Sequence, residues 1–266
     1  MGYVQHITLP EAGGSLAIAE YGDKNGYPIL IQHGLIASIK DHRIFQRLER
    51  SGARVICMAR PGYGESTPSI MSNIVEWSDL VAILVDELQL EQFDVLGMSS
   101  GASYGYAIGY RFPERARNIY IFSGIPALYN AEVASHWQYP IDKNANIADL
   151  QKVAREYFFS SVTEQDLHRN ETHDSMMNDC FGIALDLKIR CLGWGFSLSD
   201  IKQHVYMQHS RFDNTVPFIT AEITSKMLPN CSFIIKENAI HFSPEALDEF
   251  IALVMLRDRE NKSSQS

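Results

Sequence analysis

The chain has 266 residues, 45% of them hydrophobic, with 32 acidic against 23 basic side chains and a formal net charge of -9 at neutral pH. That length supports one large core, and the scattered Lys and Arg exclude the concentrated basic face that a nucleic-acid partner requires. No stretch of 18 apolar residues occurs and residues 1–10 lack the basic start and apolar run of a secretory leader, so the expectation is a cytoplasmic protein with no membrane partner.

Residues 4–9 and 15–21 flank Gly13-Gly14 and read as a hairpin; Asn25-Gly26 then marks a turn before the apolar Ile29-Leu30-Ile31. After this antiparallel start, strands alternate with helices. Residues 55–58 read as a strand. Residues 74–88 carry Trp77, Leu80, Val81, Leu84 and Leu88 at helical spacing, and 93–98 form the next strand. The rhythm implies a mostly parallel, doubly wound sheet with helices on both faces, an α/β fold.

A helix to about residue 112 and a strand at 118–123 continue the pattern. Residues 125–199 break it and read as a helical cap insertion between core segments 1–124 and 200–260. The insertion is rich in rings: Trp137, Tyr139, Tyr157, Phe158, Phe159, Phe181, Trp194 and Phe196. Such rings either cover a ligand or fill the insertion's own core. The sheet resumes at 204–208, followed by a helix near 218–227 and a strand at 232–236. In the final helix Ser243 is the N-cap, Pro244 the first residue, and Leu247, Phe250, Ile251 and Val254 share one face. Residues 261–266 are expected to be disordered.

Cys57, Cys180, Cys191 and Cys231 are far apart, with no C-x-x-C pair, and read as reduced core residues. None of the nine histidines forms an H-x-x-x-H pair, so no metal is expected.

Chemistry enters at Gly97-Met98-Ser99-Ser100-Gly101, a G-x-S-x-G string between a buried strand and a helix. A strand that turns abruptly into a helix strains the residue at the bend, and the bend closes only if the residues two positions away lack bulk. Ser99 therefore occupies a nucleophile elbow. Ser100 is the weaker candidate, because Met98 would then stand where a small residue is needed. A serine hydroxyl needs a base, and His241, after the last strand, lies at the same carboxyl edge of the sheet. A carboxylate must orient that base. Asp213 follows the preceding strand, one strand-helix-strand unit earlier, and completes the order Ser-Asp-His. Two backbone N–H groups form the oxyanion hole, one from Ser100 and one from Leu35 in the His33-Gly34-Leu35 loop. His33 reads as a support for that loop. Arg60-Pro61-Gly62-Tyr63-Gly64-Glu65-Ser66 reads as a turn shaping the rim.

In this order, His33-Gly34, Arg60-Pro61-Gly62-Tyr63-Gly64, the pentapeptide, Trp194-Gly195-Phe196, Asp213 with Val216-Pro217, and His241 resemble the α/β-hydrolase superfamily over nearly the whole chain. The resemblance implies a serine nucleophile, a cap after the sixth of eight strands, and no cofactor. Three positions depart from the family's usual residues: Ala59 replaces an acidic residue, and Ser210 and Ile240 replace glycines. Members with an aspartate nucleophile are excluded by Ser99. The expectation is a serine esterase acting on a small-molecule substrate through an acyl-enzyme. The same triad also serves aminopeptidases of the proline-iminopeptidase type and carbon-carbon bond hydrolases. An aminopeptidase would need cap carboxylates facing the pocket, with Glu132, Asp142, Glu171, Asp174 and Asp179 available. A slow-turnover ligand-binding or signalling module on the same fold is the reading from another class.

Overall fold

The apolar runs at 28–32, 54–58 and 93–98 become central strands of a single sheet in the computed structural model, which describes residues 4–9 and 13–256. Eight strands form it: β1 (Val4–Thr8), β2 (Ser15–Gly22), β3 (Pro28–Gln32), β4 (Arg54–Met58), β5 (Phe93–Met98), β6 (Ala116–Phe122), β7 (His204–Ser210) and β8 (Cys231–Lys236). Their spatial order is β1-β2-β4-β3-β5-β6-β7-β8. The β1–β2 and β2–β4 pairs are antiparallel and all others parallel.

Alternation along each strand sends successive side chains to opposite faces. Leu30, Val95, Ile119 and Ile121 pack into one apolar cluster, while Ile29, Ile31, Leu96, Tyr120 and Phe122 enter the other. Because both faces are covered, the central strands are apolar throughout. Helices α2 (Val75–Glu87) and α3 (Gly101–Arg111) cover the first face through Trp77, Val81, Leu84, Tyr104 and Ile108. The second face is covered by α1 (Gln46–Arg50), whose 3-10 entry at His42–Phe45 the sequence did not reveal, and by α8 (Pro244–Phe250). Ser243 caps α8, its hydroxyl accepting from Ala246 N–H at 3.1 Å, and the chain then widens into a π-helical turn at Ile251–Leu256. Helix α7 (Phe218–Lys226) connects β7 to β8.

Between β6 and β7 lie α4 (Ala131–Ser135), α5 (Ile147–Phe158) and α6 (Asn170–Ile189). Helix α6 is broken in the middle. Asn178, Asp179 and Cys180 adopt left-handed φ values of 53°, 58° and 59° without a glycine among them. Each such residue costs about 1–2 kcal/mol, so the turn persists only where packing holds it. Asn178 Nδ2 donates to the Gly62 and Gly64 carbonyls, and the Tyr63 ring fills the space a side chain at position 182 would need. The expected disorder at 261–266 lies outside the described residues.

Candidate active site

The register aligns Gln32 with Gly97 and Met98 with Phe122, so the loops after β3, β5, β7 and β8 gather at one edge. Ser99 stands at the end of β5 with a φ of 48°, a left-handed value that few non-glycine residues adopt. Hydrogen bonds over-determine the bend. Ser99 N–H donates to the Phe122 carbonyl at 3.0 Å, and the Ser99 carbonyl accepts from Ile125 N–H at 2.9 Å and Ala102 N–H at 3.1 Å. A Cβ at Gly101 would collide with the Gln32 and His33 carbonyls, and one at Gly97 would sit 2.9 Å from the Gly101 carbonyl. These close approaches are why glycine occupies both positions.

Ser99 Oγ lies 3.0 Å from His241 Nε2, and His241 Nδ1 lies 2.8 Å from Asp213 Oδ2. The structure thus brings the three sequence-chosen side chains into one line. With the carboxylate accepting at Nδ1–H, Nε2 presents its lone pair to the serine hydroxyl. The Asp213 side chain is wholly buried, and its other oxygen accepts from Thr215 N–H at 2.8 Å and Val216 N–H at 2.9 Å. Burial pushes this carboxyl upward, but the His241 hydrogen bond and charge and the two backbone donors outweigh it and hold it below the ordinary range. His209, which the sequence reading missed, is buried behind Asp213, its Nε2 2.9 Å from the Val216 carbonyl and 3.4 Å from Asp213 Oδ2. Burial drives its pKa below the usual imidazole value. Ser210, one of the departures from the family pattern, donates its hydroxyl to the Ile240 carbonyl at 2.7 Å and so ties the Asp213 loop to the His241 loop.

On the other side of Ser99, the main chain at Gly34 runs so close that a Cβ there would sit 3.8 Å from Ser99 Cβ. His33 is buried, with Nδ1 2.8 Å from the Gly34 carbonyl and Nε2 accepting from Arg60 N–H at 3.3 Å. Burial, then the Arg60 charge, pushes its pKa well down. It therefore supports the loop as a neutral ring. Arg60 and Tyr63 depart from the rim reading: each is only 1% exposed and both lie beneath the loop.

Leu35, Ser99 and His241 line a cavity of about 1590 Å³, whose further walls include Trp137, Tyr139, Tyr157 and Phe158. Four of the eight rings singled out between 125 and 199 thus face it. The others turn elsewhere: Phe159 and Trp194 are buried, and Phe181 and Phe196 pack on the core. Of the five carboxylates considered for an ammonium site, Asp142 and Glu171 line the cavity, and Glu171 is paired with Arg169 at 2.6 Å. Asp174 is buried, bound to Ser38 and Lys40, Asp179 pairs with Arg155, and Glu132 sits exposed at the start of α4. Among the described residues no three His, Cys, Asp or Glu side chains are grouped to hold a metal ion, and no helix is long and apolar enough to cross a membrane.

This sheet order and edge define a class, and the chain belongs to the alpha/beta hydrolase fold family, whose profile matches residues 27–184. Among curated proteins, it is 26% identical over 143 residues to the uncharacterized hydrolase YcgS of Bacillus subtilis (strain 168), covering 54% of this chain and 47% of that one. It is 25% identical over 135 residues to 2-hydroxymuconate semialdehyde hydrolase of Pseudomonas sp. (strain CF600), covering 48% and 46%. The chain spans about half the length of these relatives. Among solved structures, the esterase EaEST from Exiguobacterium antarcticum superposes with a TM-score of 0.69 at 16% identity over 99% of this chain and 97% of that one.

Proposed function

We propose that this protein is a serine hydrolase that cleaves esters of small molecules through an acyl-enzyme. The observation that carries the reading is the unbroken hydrogen-bonded line from Ser99 Oγ through both nitrogens of His241 to Asp213. Ser99 Oγ attacks the ester carbonyl while His241 Nε2 accepts its proton, and Asp213 stabilises the imidazolium that forms. The N–H groups of Leu35 and Ser100 receive the oxyanion. Collapse of the tetrahedral species expels the alcohol, which takes the proton from His241. Water, deprotonated by the same ring, then attacks the acyl carbonyl and frees Ser99.

The cavity supports an apolar acyl or alcohol portion: it exceeds the roughly 300–1,000 Å³ of common small-molecule pockets, and four rings from the 125–199 segment line it. The ester reading stands ahead of the aminopeptidase because, of the three cavity-lining carboxylates Asp41, Asp142 and Glu171, Glu171 is already paired with Arg169 and Asp41 accepts from Asn170. Labelling by a fluorophosphonate probe and hydrolysis of p-nitrophenyl esters test the proposal, with Ser99→Ala expected to abolish both. Labelling at another serine defeats the assignment. Faster cleavage of aminoacyl-naphthylamides than of esters would move the reading to the aminopeptidase. A ligand that raises Tm without being consumed would move it to a binding module.

A further inference from the structure

Asp186 sits in the second half of α6, and its carboxylate, 1% exposed, is the meeting point of four polar side chains. Arg60 donates from Nε at 3.1 Å and from Nη2 at 2.5 Å. The hydroxyls of Tyr63, Ser100 and Tyr104 lie at 3.0, 3.2 and 2.5 Å. The groups that converge on Asp186 also hold the loop after β3. Arg60 Nη1 donates to the His33 carbonyl at 2.7 Å, Arg60 Nη2 to the Gly34 carbonyl at 3.0 Å, and the Tyr63 hydroxyl to the Leu35 carbonyl at 2.9 Å.

Peptide geometry gives this grip a consequence. In a planar trans peptide the carbonyl of one residue and the N–H of the next point in opposite directions. No cis peptide occurs among the described residues. Holding the Gly34 carbonyl toward Arg60 therefore aims the Leu35 N–H the other way, away from the buried guanidinium. The second donor, Ser100 N–H, belongs to a residue whose hydroxyl is bound by the same carboxylate. We infer that Asp186 is a positioning residue for the oxyanion hole: through Arg60 and Ser100 it fixes both donors from α6, and so links the 125–199 segment to the reaction centre. The inference rests on the acyl transfer proposed for Ser99.

Removing the carboxylate therefore acts on the transition state more than on the bound ester. In Asp186→Asn, kcat is expected to fall about 10- to 100-fold, less than the roughly 100- to 1,000-fold cost of removing an oxyanion donor outright, while KM stays within about threefold. Affinity for an aryl trifluoromethyl ketone, whose adduct with the serine carries an oxyanion, should fall in parallel with kcat/KM. A purely structural role lowers Tm and leaves both ratios in place. If Asp186→Asn does not fold, the double variant Arg60→Met/Asp186→Leu replaces the buried pair by apolar groups, an exchange that buried pairs often tolerate. If neither folds, Tyr63→Phe, which deletes one hydroxyl, decides by the same readouts.

Wild-type protein is scored first for fluorophosphonate labelling at Ser99. No label overturns the hydrolase reading and this inference with it. Label on the wild type, with a folded variant that keeps kcat and ketone affinity within about twofold, overturns this inference alone. The expected kcat loss at near-constant KM, with the matching loss of ketone affinity, supports it.

Discussion

Two buried aspartates flank Ser99, and they are satisfied in different ways. Asp213 accepts from two backbone N–H groups and from one imidazole, the ring that also reaches the Ser99 hydroxyl. Asp186 accepts from a guanidinium and from the Ser100 and Tyr104 hydroxyls, with the Tyr63 hydroxyl 3.0 Å away. Burial alone would lower Arg60, but the Asp186 charge and the neighbouring tyrosines hold it above its already high value, and burial pushes the Tyr63 and Tyr104 phenols well up. Neither the guanidinium nor the two phenols change charge near neutrality. The first carboxylate thus faces a proton that can move, and the second faces donors that stay as they are. One arrangement suits chemistry and the other suits support.

Breaking each carboxylate separately should expose that difference. Asp213→Asn keeps the shape but loses the charge that favours the imidazolium, so kcat should drop about 10³- to 10⁴-fold with a minor change in Tm, measured by ester hydrolysis and thermal melts. Asp186→Ala should do the reverse in emphasis. It leaves the Arg60 guanidinium buried without its counter-charge, a loss of about 3–5 kcal/mol in urea unfolding.

Gly101→Ala tests the bend between them. The new methyl meets the Gln32 and His33 carbonyls, and the forced shift should cost about 1–3 kcal/mol and move the Leu35 loop, lowering kcat as well.

Acid should act on both sides of Ser99, through His209 beside Asp213 and His33 beside Arg60. His209 and His33 are buried with depressed pKa values. The unfolded chain takes up protons at about pH 6.5 that the folded ring refuses, so stability falls as pH drops below that value. His209→Asn should flatten part of that slope in Tm measured from pH 8 to 5. Asp213 contributes in a lower window. Its folded pKa is depressed, so its stabilisation is complete above the unfolded value of about 3.9 and is lost as pH falls through the folded one. The smallest effect is expected for Ser210→Gly, which removes the bond to the Ile240 carbonyl. It should cost about 1 kcal/mol and loosen the His241 loop enough for a modest fall in kcat.

The Asp213 side was legible in the sequence because each part is local. A glycine-flanked serine between strand and helix, and polar residues just after two successive strands, declare their edge through the chain's own rhythm. The Asp186 side was hidden. Arg60 lies in a Pro/Gly-rich turn that reads as surface, and Asp186 lies inside a helical run, where nothing in the sequence names a partner 126 residues away. The break in α6 was equally invisible, since Asn178-Asp179-Cys180 contains no glycine to announce a left-handed turn. The 3-10 entry to α1 escaped notice because His42–Phe45 buries only Phe45 and carries no apolar stripe.

That left-handed turn ties α6 to a distant part of the chain. Three residues in a disfavoured conformation are held by the Gly62 and Gly64 carbonyls and the Tyr63 ring. None of those partners lies within 170–189, so the helix alone does not hold the bend. The bend, and with it the approach of Asp186 to Arg60, therefore depends on the turn that follows β4 as much as on α6 itself.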